Sequence, residues 1–540
     1  MANFLQLQSV SFKQNNGETL FSDLSGTFTA KITALIGRNG VGKTVLAQLC
    51  AGILLPTSGT ILNSDHVFYL SQHYVISEET TVAELLGIDH VMAALRRIEQ
   101  GSVLEEDFAI VGDQWAIETE ALSLLAKLGL PNLLLDSPAM ILSGGEQMRI
   151  RIAVAFLSQK EILILDEPSN HLDHSQKEKL WDLMQLWTGT IILISHDRFF
   201  LNQLTNIVEL TPSGLEWFTG SYEEYRIYKA EAAERAVEIL NSVKSQEKQR
   251  QAVIQQQIER QQKRTSAANK ARGNQNQAKI LMDAQKNRSD LTSGKTQQKL
   301  DRIQKEGQSR IDSARANLDT ATSIHLHQIP ALTNQPDIAV KLENIQLPFM
   351  PSDLEALNQV IRSGERIAIV GDNGIGKTLL LKVIAGSLSP ESGQATHYVK
   401  TAYLDQHLTI LNPQQSVLEQ ISQGRTKDEI SQLRMQLAQL GLTASHIERE
   451  SQYLSGGEKL KAALAMILYD QTPSGLLLLD EPSNHLDLES LSALEAMLNH
   501  YQGTLIIISH DATFLSNIGI ESQLHRAENG WIKYPFQPKF

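Results

Sequence analysis

The 540-residue chain repeats itself, and a repeat of this length restricts it to two copies of one domain. Lys43 and Lys377 stand 334 residues apart, as do Gln72 and Gln406. Ser143 and Ser455 stand 312 apart, and Glu167 and Glu481 stand 314 apart, as do His196 and His510. The first copy therefore holds 22 extra residues between Gln72 and Ser143. TVAEL from Thr81 still matches SVLEQ from Ser416, and LGL at Leu128 matches LGL at Leu440, so the excess falls between about Leu86 and Glu118.

Each copy alternates short apolar runs with helical segments. Ile32 to Ile36 and Arg366 to Val370 precede glycine loops, while Ile191 to Ile194 and Leu505 to Ile508 run into Ser-His-Asp. Such alternation predicts α/β domains with a mostly parallel sheet, whose ligands gather at the carboxyl ends of the strands. With 42% hydrophobic and 20% charged residues the composition is that of globular domains. The single cysteine, Cys50, excludes a disulfide framework and lies in the apolar stretch LAQLCAGILL, where a core position is expected. No run approaches the roughly 18 apolar residues of a membrane span, and a cytoplasmic protein is expected.

Four kinds of motif carry the chemistry. GRNGVGKT (Gly37, Asn39, Gly40, Gly42, Lys43, Thr44) and GDNGIGKT (Gly371, Asn373, Gly374, Gly376, Lys377, Thr378) each follow a strand and open a helix. This is the Walker A pattern, in which backbone N–H groups wrap phosphates, the lysine neutralises β and γ oxygens and the threonine hydroxyl reaches Mg2+. Asp166-Glu167 and Asp480-Glu481 end apolar runs: the aspartate is placed for a metal ion, the glutamate as a base for attacking water. His196 and His510 end the next strand and are candidates to sense a γ-phosphate. Gln72 in YLSQH and Gln406 in YLDQH are candidates for Mg2+ or for the water. Finally Ser143, Gly144, Gly145 and Glu146, matched by Ser455, Gly456, Gly457 and Glu458, set a hydroxyl and two glycines at a helix start, which suits close approach of a polyanion.

Between the copies the charge changes sign. From Lys229 to Arg310 there are 18 Lys/Arg and nine Asp/Glu, so with a total of -13 the rest of the chain carries -22. Apolar residues at Val237, Leu240 and Val243, and again at Leu300, Ile303, Ile311, Ala314 and Leu318, alternate in threes and fours. That spacing predicts an antiparallel helical hairpin with about 35 residues per arm, on the order of 50 Å long at 1.5 Å per residue. Gly273, among asparagines, marks its tip or a kink. Arg260, Lys263, Arg264, Lys270, Arg272, Lys279, Lys286 and Arg288 are opposed only by Asp283, a pattern that fits nucleic-acid phosphates read by shape. A solvated helical spacer is the plainer alternative.

These motifs, in this order and twice over, resemble the ATP-binding cassette ATPases. The resemblance implies two cassettes paired head to tail within one chain, acting as a monomer, with ATP and Mg2+ between one cassette's Walker A and the other's signature. Site one would join Lys43, Thr44, Gln72, Asp166, Glu167 and His196 to Ser455–Glu458; site two would join Lys377, Thr378, Gln406, Asp480, Glu481 and His510 to Ser143–Glu146. An aromatic on adenine is implied at Phe349 in copy two, while Gln14 takes that place in copy one. DEPSNHLD at both Walker B motifs, together with GSYEEYRIYK before the basic segment, is similar to the ABC-F family, whose members act on ribosomes. The expected division is a cassette over 1–228 with a short arm near 87–112, a basic linker over 229–330 and a second cassette over 331–540. ABC-F resemblance implies an ATPase of the ribosomal tRNA exit site, its linker near tRNA and rRNA. The competing expectations are a fused transporter ATPase subunit serving separate permeases and a DNA-structure binding ATPase.

Overall fold

The computed structural model describes residues 4–14, 17, 19–71, 77, 80–158, 160–169, 172–272, 302, 305, 307–311, 335–349, 355–484, 486–527 and 530–537; at 257, 258, 261, 262 and 264–272 it describes the backbone alone. It forms two compact units, Met1–Tyr222 with Ile324–Phe540, and Glu223–Ser323.

Both copies build the same pair of sheets. In the first, a six-stranded sheet runs in the order Val67–Leu70, Ile162–Asp166, Thr190–Ile194, Ile32–Ile36, Asn206–Thr211, Gly214–Thr219. All neighbours are parallel except the last pair. In the second, Thr401–Leu404, Leu476–Asp480, Thr504–Ile508, Arg366–Val370, Ser522–Ala527 and Gly530–Pro535 repeat that order. An antiparallel three-stranded sheet accompanies each: Thr19–Phe28, Leu5–Lys13, Ser58–Leu62, and Leu357–Arg362, Ile338–Gln346, Ser392–His397. The expected α/β fold is thus present, with the antiparallel sheets as an addition that the sequence reading did not contain.

The central strands are apolar without interruption because both faces are covered. Along Leu476–Asp480, Leu477 and Leu479 join one core with Leu464, Leu494 and Phe514, while Leu476 and Leu478 join another with Ile361, Leu380 and Ile506. Four buried leucines contribute on the order of 8 kcal/mol gross at about 2 kcal/mol each, comparable with the several kcal/mol that burying the terminal carboxylate costs. A strand this apolar can therefore deliver a buried aspartate at its tip. Cys50 is a core residue, with burial pushing its thiol up to about 12.

The excess of copy one folds as two short helices, Asp89–Glu99 and Glu105–Val111. Asp107 staples them, accepting from Ser102 Oγ at 2.6 Å and pairing with Arg97 Nη2 at 2.7 Å. Arg96 pairs with Asp136 at 3.1 Å.

In the second unit, helix Tyr222–Arg272 runs 51 residues, about 77 Å at 1.5 Å per residue, longer than the roughly 35-residue arm expected from the sequence. It starts seven residues before the expected boundary because the favourable helix formers continue upstream through Glu223 and Glu224. Residues 307–311 are helical and lie back against it, leaving no room for a Cβ on Gly307 beside the Glu247 carboxylate. No described helix is long and apolar enough to cross a membrane.

Candidate functional site

The two phosphate loops join a central strand to a helix, Lys43–Cys50 in one copy and Lys377–Ile384 in the other. Each helix is capped by a left-handed residue, Gly42 at φ 105° and Gly376 at φ 94°, a conformation that glycine alone adopts without strain. A Cβ on Gly42 would also come within 2.5 Å of Leu20 Cδ2. Lys43 Nζ donates to the carbonyls of Gly37 at 2.7 Å and Arg38 at 3.1 Å. Lys377 Nζ donates likewise to Gly371 at 2.7 Å and Asp372 at 3.1 Å, and lies 3.0 Å from His510 Nε2. Burial lowers the pKa of both lysines against the pull of the neighbouring carboxylates. Each ammonium is thus held by carbonyls of its own loop, from which it can turn to a phosphate.

Asp166 and Asp480 end buried strands one place removed from the phosphate-loop strands. Tyr69 OH donates to Asp166 Oδ2 at 3.0 Å, and Tyr403 OH to Asp480 Oδ2 at 3.4 Å. Thr378 Oγ1 donates to Asp480 Oδ1 at 3.3 Å, so a hydroxyl and a carboxylate converge as the hard oxygen donors that Mg2+ takes. The chain then turns sharply: Glu167 and Glu481 both sit at φ 48°, a left-handed conformation costly for a residue with a Cβ. Their N–H groups bond Ile194 O at 2.9 Å and Ile508 O at 3.0 Å, which fixes the turn.

Glu481 Oε1 lies 3.3 Å from His510 Nε2, and its Oε2 is buried with no hydrogen-bond partner among the described residues. Burial holds its carboxyl up near 7, close to the range of a useful general base. Glu167 is raised by burial in the same way, 3.7 Å from His196 Nε2. Burial pushes His510 down to about 3 and lowers His196 too, so both rings are neutral. Neither His196 nitrogen has a hydrogen-bond partner among the described residues. Buried polar atoms left in this state fit a polar ligand.

All of this converges on one cavity of about 930 Å³ between the copies. From copy one it is lined by Gln14, Asn39, Gly40, Gly42, Lys43, Thr44, Asp166, Glu167 and His196. From copy two come Asn373, Gly374, Gly376, Lys377, Thr378, Gln406, Asp480, Glu481, His510 and Gly456. The cassettes touch through reciprocal carboxylates: Asn39 N donates to Asp487 Oδ2 at 2.8 Å, and Asn373 N lies 3.5 Å from Asp173 Oδ2.

The signature residues begin helices Gly144–Leu157 and Gly456–Leu468. Ser143 and Ser455 cap them, with Glu146 Oε2 accepting from Ser143 N at 2.8 Å and Glu458 Oε2 from Ser455 N at 2.9 Å. Gly144 and Gly456 face open space, whereas a Cβ on Gly145 or Gly457 would run into Gln176 or Ser490. One glycine of each pair is thus open to a ligand and the other admits a neighbouring helix. Of these residues Gly456 reaches the cavity wall.

Phe349 is 89% exposed at φ 63° and stands outside the cavity lining. Gln72 lies outside the described residues. Of the basic linker residues, Arg260 and Lys263 are exposed on helix Tyr222–Arg272, whose backbone also carries Arg264, Lys270 and Arg272. Lys279, Lys286, Arg288 and Gly273 lie outside the described residues. Tyr69 and Tyr403 were missed in the sequence, although both stand three residues before the candidate glutamines at the shared offset of 334.

The family model described as ABC transporter matches residues 22–170 and 354–484, one segment in each copy. The chain is 30% identical to the ATP-binding protein Uup of Haemophilus influenzae, covering 93% of this chain and 75% of that protein. It is also 30% identical to ABC transporter F family member 5 of Arabidopsis thaliana, over 94% of this chain and 72% of that one. In fold it is similar to the archaeal ribosome recycling factor aABCE1, solved with the stalk protein aP1, at a TM-score of 0.53 and 18% identity over 97% of this chain and 89% of that chain. Matched cassettes on either side of a long helix, and relatives aligned along most of their length, lead to one assignment: the chain belongs to the ABC-F family of tandem ATP-binding cassette proteins.

Proposed function

We propose that the chain hydrolyses ATP at two Mg-dependent sites formed between its cassettes, and that ATP-driven closure positions the basic linker on the ribosome, in the tRNA exit site, to modulate translation in the cytoplasm. The observation that carries the catalytic half is the shared cavity, in which each P-loop asparagine meets an aspartate of the opposite cassette. Asn39, Gly40 and Gly42, with Gly374 and Gly376 opposite, present loop N–H groups to the phosphates, and Lys43 and Lys377 swing from loop carbonyls onto the β and γ oxygens. Thr44 and Asp166 with Gln72, and Thr378 and Asp480 with Gln406, hold Mg2+, which when bound neutralises phosphate charge. Glu167 and Glu481 take the proton of the attacking water, and the neutral imidazoles of His196 and His510 hydrogen-bond the γ-phosphate. Ser143–Glu146 and Ser455–Glu458 close the opposite face through helix N-termini, with the exposed Phe349 ring available to adenine in site two.

The ribosomal half rests on family membership and on charge. A nine-charge surplus between Lys229 and Arg310 is set against a remainder of the chain that sums to -22, and a polyanion selects the former. The test is the E167Q/E481Q variant. With ATP it should bind nucleotide, co-sediment with 70S ribosomes and inhibit translation; sedimentation free of ribosomes overturns the ribosomal reading, and co-purification with a membrane permease replaces it with the transporter one.

A further inference from the structure

Among the described residues, the ion pairs Arg38–Glu489 and Arg198–Glu495 cross between the cassettes on the site-one side. In site one, Arg38 Nε pairs with Glu489 Oε2 at 3.1 Å beside the 2.8 Å bond from Asn39 N to Asp487. In site two, Asp372 and Ser175 take the places of Arg38 and Glu489, and the asparagine contact is 3.5 Å. The largest difference is buried. Arg198, 1% exposed and two residues beyond His196, bonds through Nη1 to Glu495 in helix Leu488–His500 of the second cassette. Asn517 Nδ2 donates to Glu495 Oε1 at 3.0 Å. The equivalent positions of site two are Ala512 and Trp181, neither charged. Within the first copy, Lys177 Nζ, 2.7 Å from Asp197 Oδ2, fastens the same loop, and its equivalent is Leu491; the charges of Lys177 and Arg198 also act on Asp511 of the site-two switch loop.

A buried ion pair adds little net stability, but separating its partners inside a closed interface strands a charge without solvent. Arg198 therefore resists one motion in particular: withdrawal of the His196 loop while the cassettes remain together. When the interface opens as a whole, water reaches both partners and the resistance is lost. Helix Leu488–His500 begins at Asp487, the residue that bonds the site-one phosphate loop, so the pair ties two walls of a single site.

We propose that the Arg198–Glu495 pair makes the two ATP sites unequal: the switch loop of site one moves only with the whole interface, whereas that of site two has no equivalent ion pair to break. Arg198 is on this view a positioning residue, and the proposal rests on the reading of two composite ATP sites.

The test is release of labelled ATP from the E167Q/E481Q protein after a chase with unlabelled ATP. Two phases of equal amplitude are expected, roughly 100-fold apart, the lower end of what an unpaired buried charge imposes. R198A/E495W copies the residues of site two into site one and should leave one fast phase. R198K should keep the slow phase, and A512R/W181E should enlarge its amplitude. If R198A/E495W is not folded, R198M/E495M replaces the pair with apolar volume and carries the same expectation. A parent with one phase, or a slow phase unchanged in the paired variants, overturns the inequality of the sites. A parent that retains no label overturns the composite-site reading, and this proposal with it.

Discussion

Replacing Tyr69 by Phe removes one oxygen atom and keeps the ring, which makes it a clean probe of the aspartate it serves. The Tyr69 hydroxyl donates to Asp166 Oδ2 at 3.0 Å, the long end of the normal O–H···O range. A hydrogen bond to a charged acceptor nets about 1.5–3 kcal/mol, and this length argues for the lower end. If the bond goes wholly into orienting the carboxylate, turnover at site one, read in an E481Q background, falls about tenfold and its Mg2+ concentration for half-maximal rate rises, with nucleotide binding retained through Lys43 and the loop amides. The second copy supplies an internal control. Tyr403 lies 3.4 Å from Asp480, whose other oxygen already accepts from Thr378 at 3.3 Å, so Y403F should cost about twofold at most. Steady-state phosphate release across a Mg2+ titration measures both, with thermal unfolding as a check that neither variant moves by more than about 2 °C. Equal losses in the two variants, or a larger loss in Y403F, would refute the idea that these hydroxyls orient the metal-site carboxylates.

Other substitutions test other parts of the site and its surroundings. G42A combines a left-handed backbone with a Cβ 2.5 Å from Leu20, and should cost about 2 kcal/mol or more locally and abolish tight ATP binding at site one, measured by titration of a fluorescent nucleotide. R97A leaves the Asp107 carboxylate with Ser102 alone, and should loosen the two-helix arm, visible as faster amide exchange confined to residues 89–111 while ATPase activity is unchanged. R260A/K263A removes two exposed cations from the long helix, and should lower the slope of log affinity for ribosomes against log salt by about 1–2 without altering nucleotide affinity. An unchanged slope would place the linker away from phosphate.

The candidate set was legible because each of its members follows a strand. Lys43, Asp166 and His196 are separated by long stretches of chain, yet each follows an apolar run that the parallel sheet places beside the others. What escaped were contacts that no local pattern encodes. Arg198 and Glu495 are 297 residues apart and meet only because two domains face each other. The left-handed backbone at Glu167 and Glu481 left no trace either, since a glutamate gives no hint of positive φ. The antiparallel sheets were readable in principle from the alternation of LQLQ at Leu5, but bulges at Ser9 and Asn344 break the period after a few residues. Helix length was underestimated because the estimate rested on apolar spacing, while helix-favouring residues carry Tyr222–Arg272 through stretches that lack it.

That long helix also has a mechanical meaning. A continuous rod of about 77 Å turns small angles at one end into large displacements at the other. A tilt of 10° about its first turn would sweep its last turn through roughly 13 Å, more than two turns of helical rise. A displacement of that size at the end of the helix matches the width of a nucleic-acid groove.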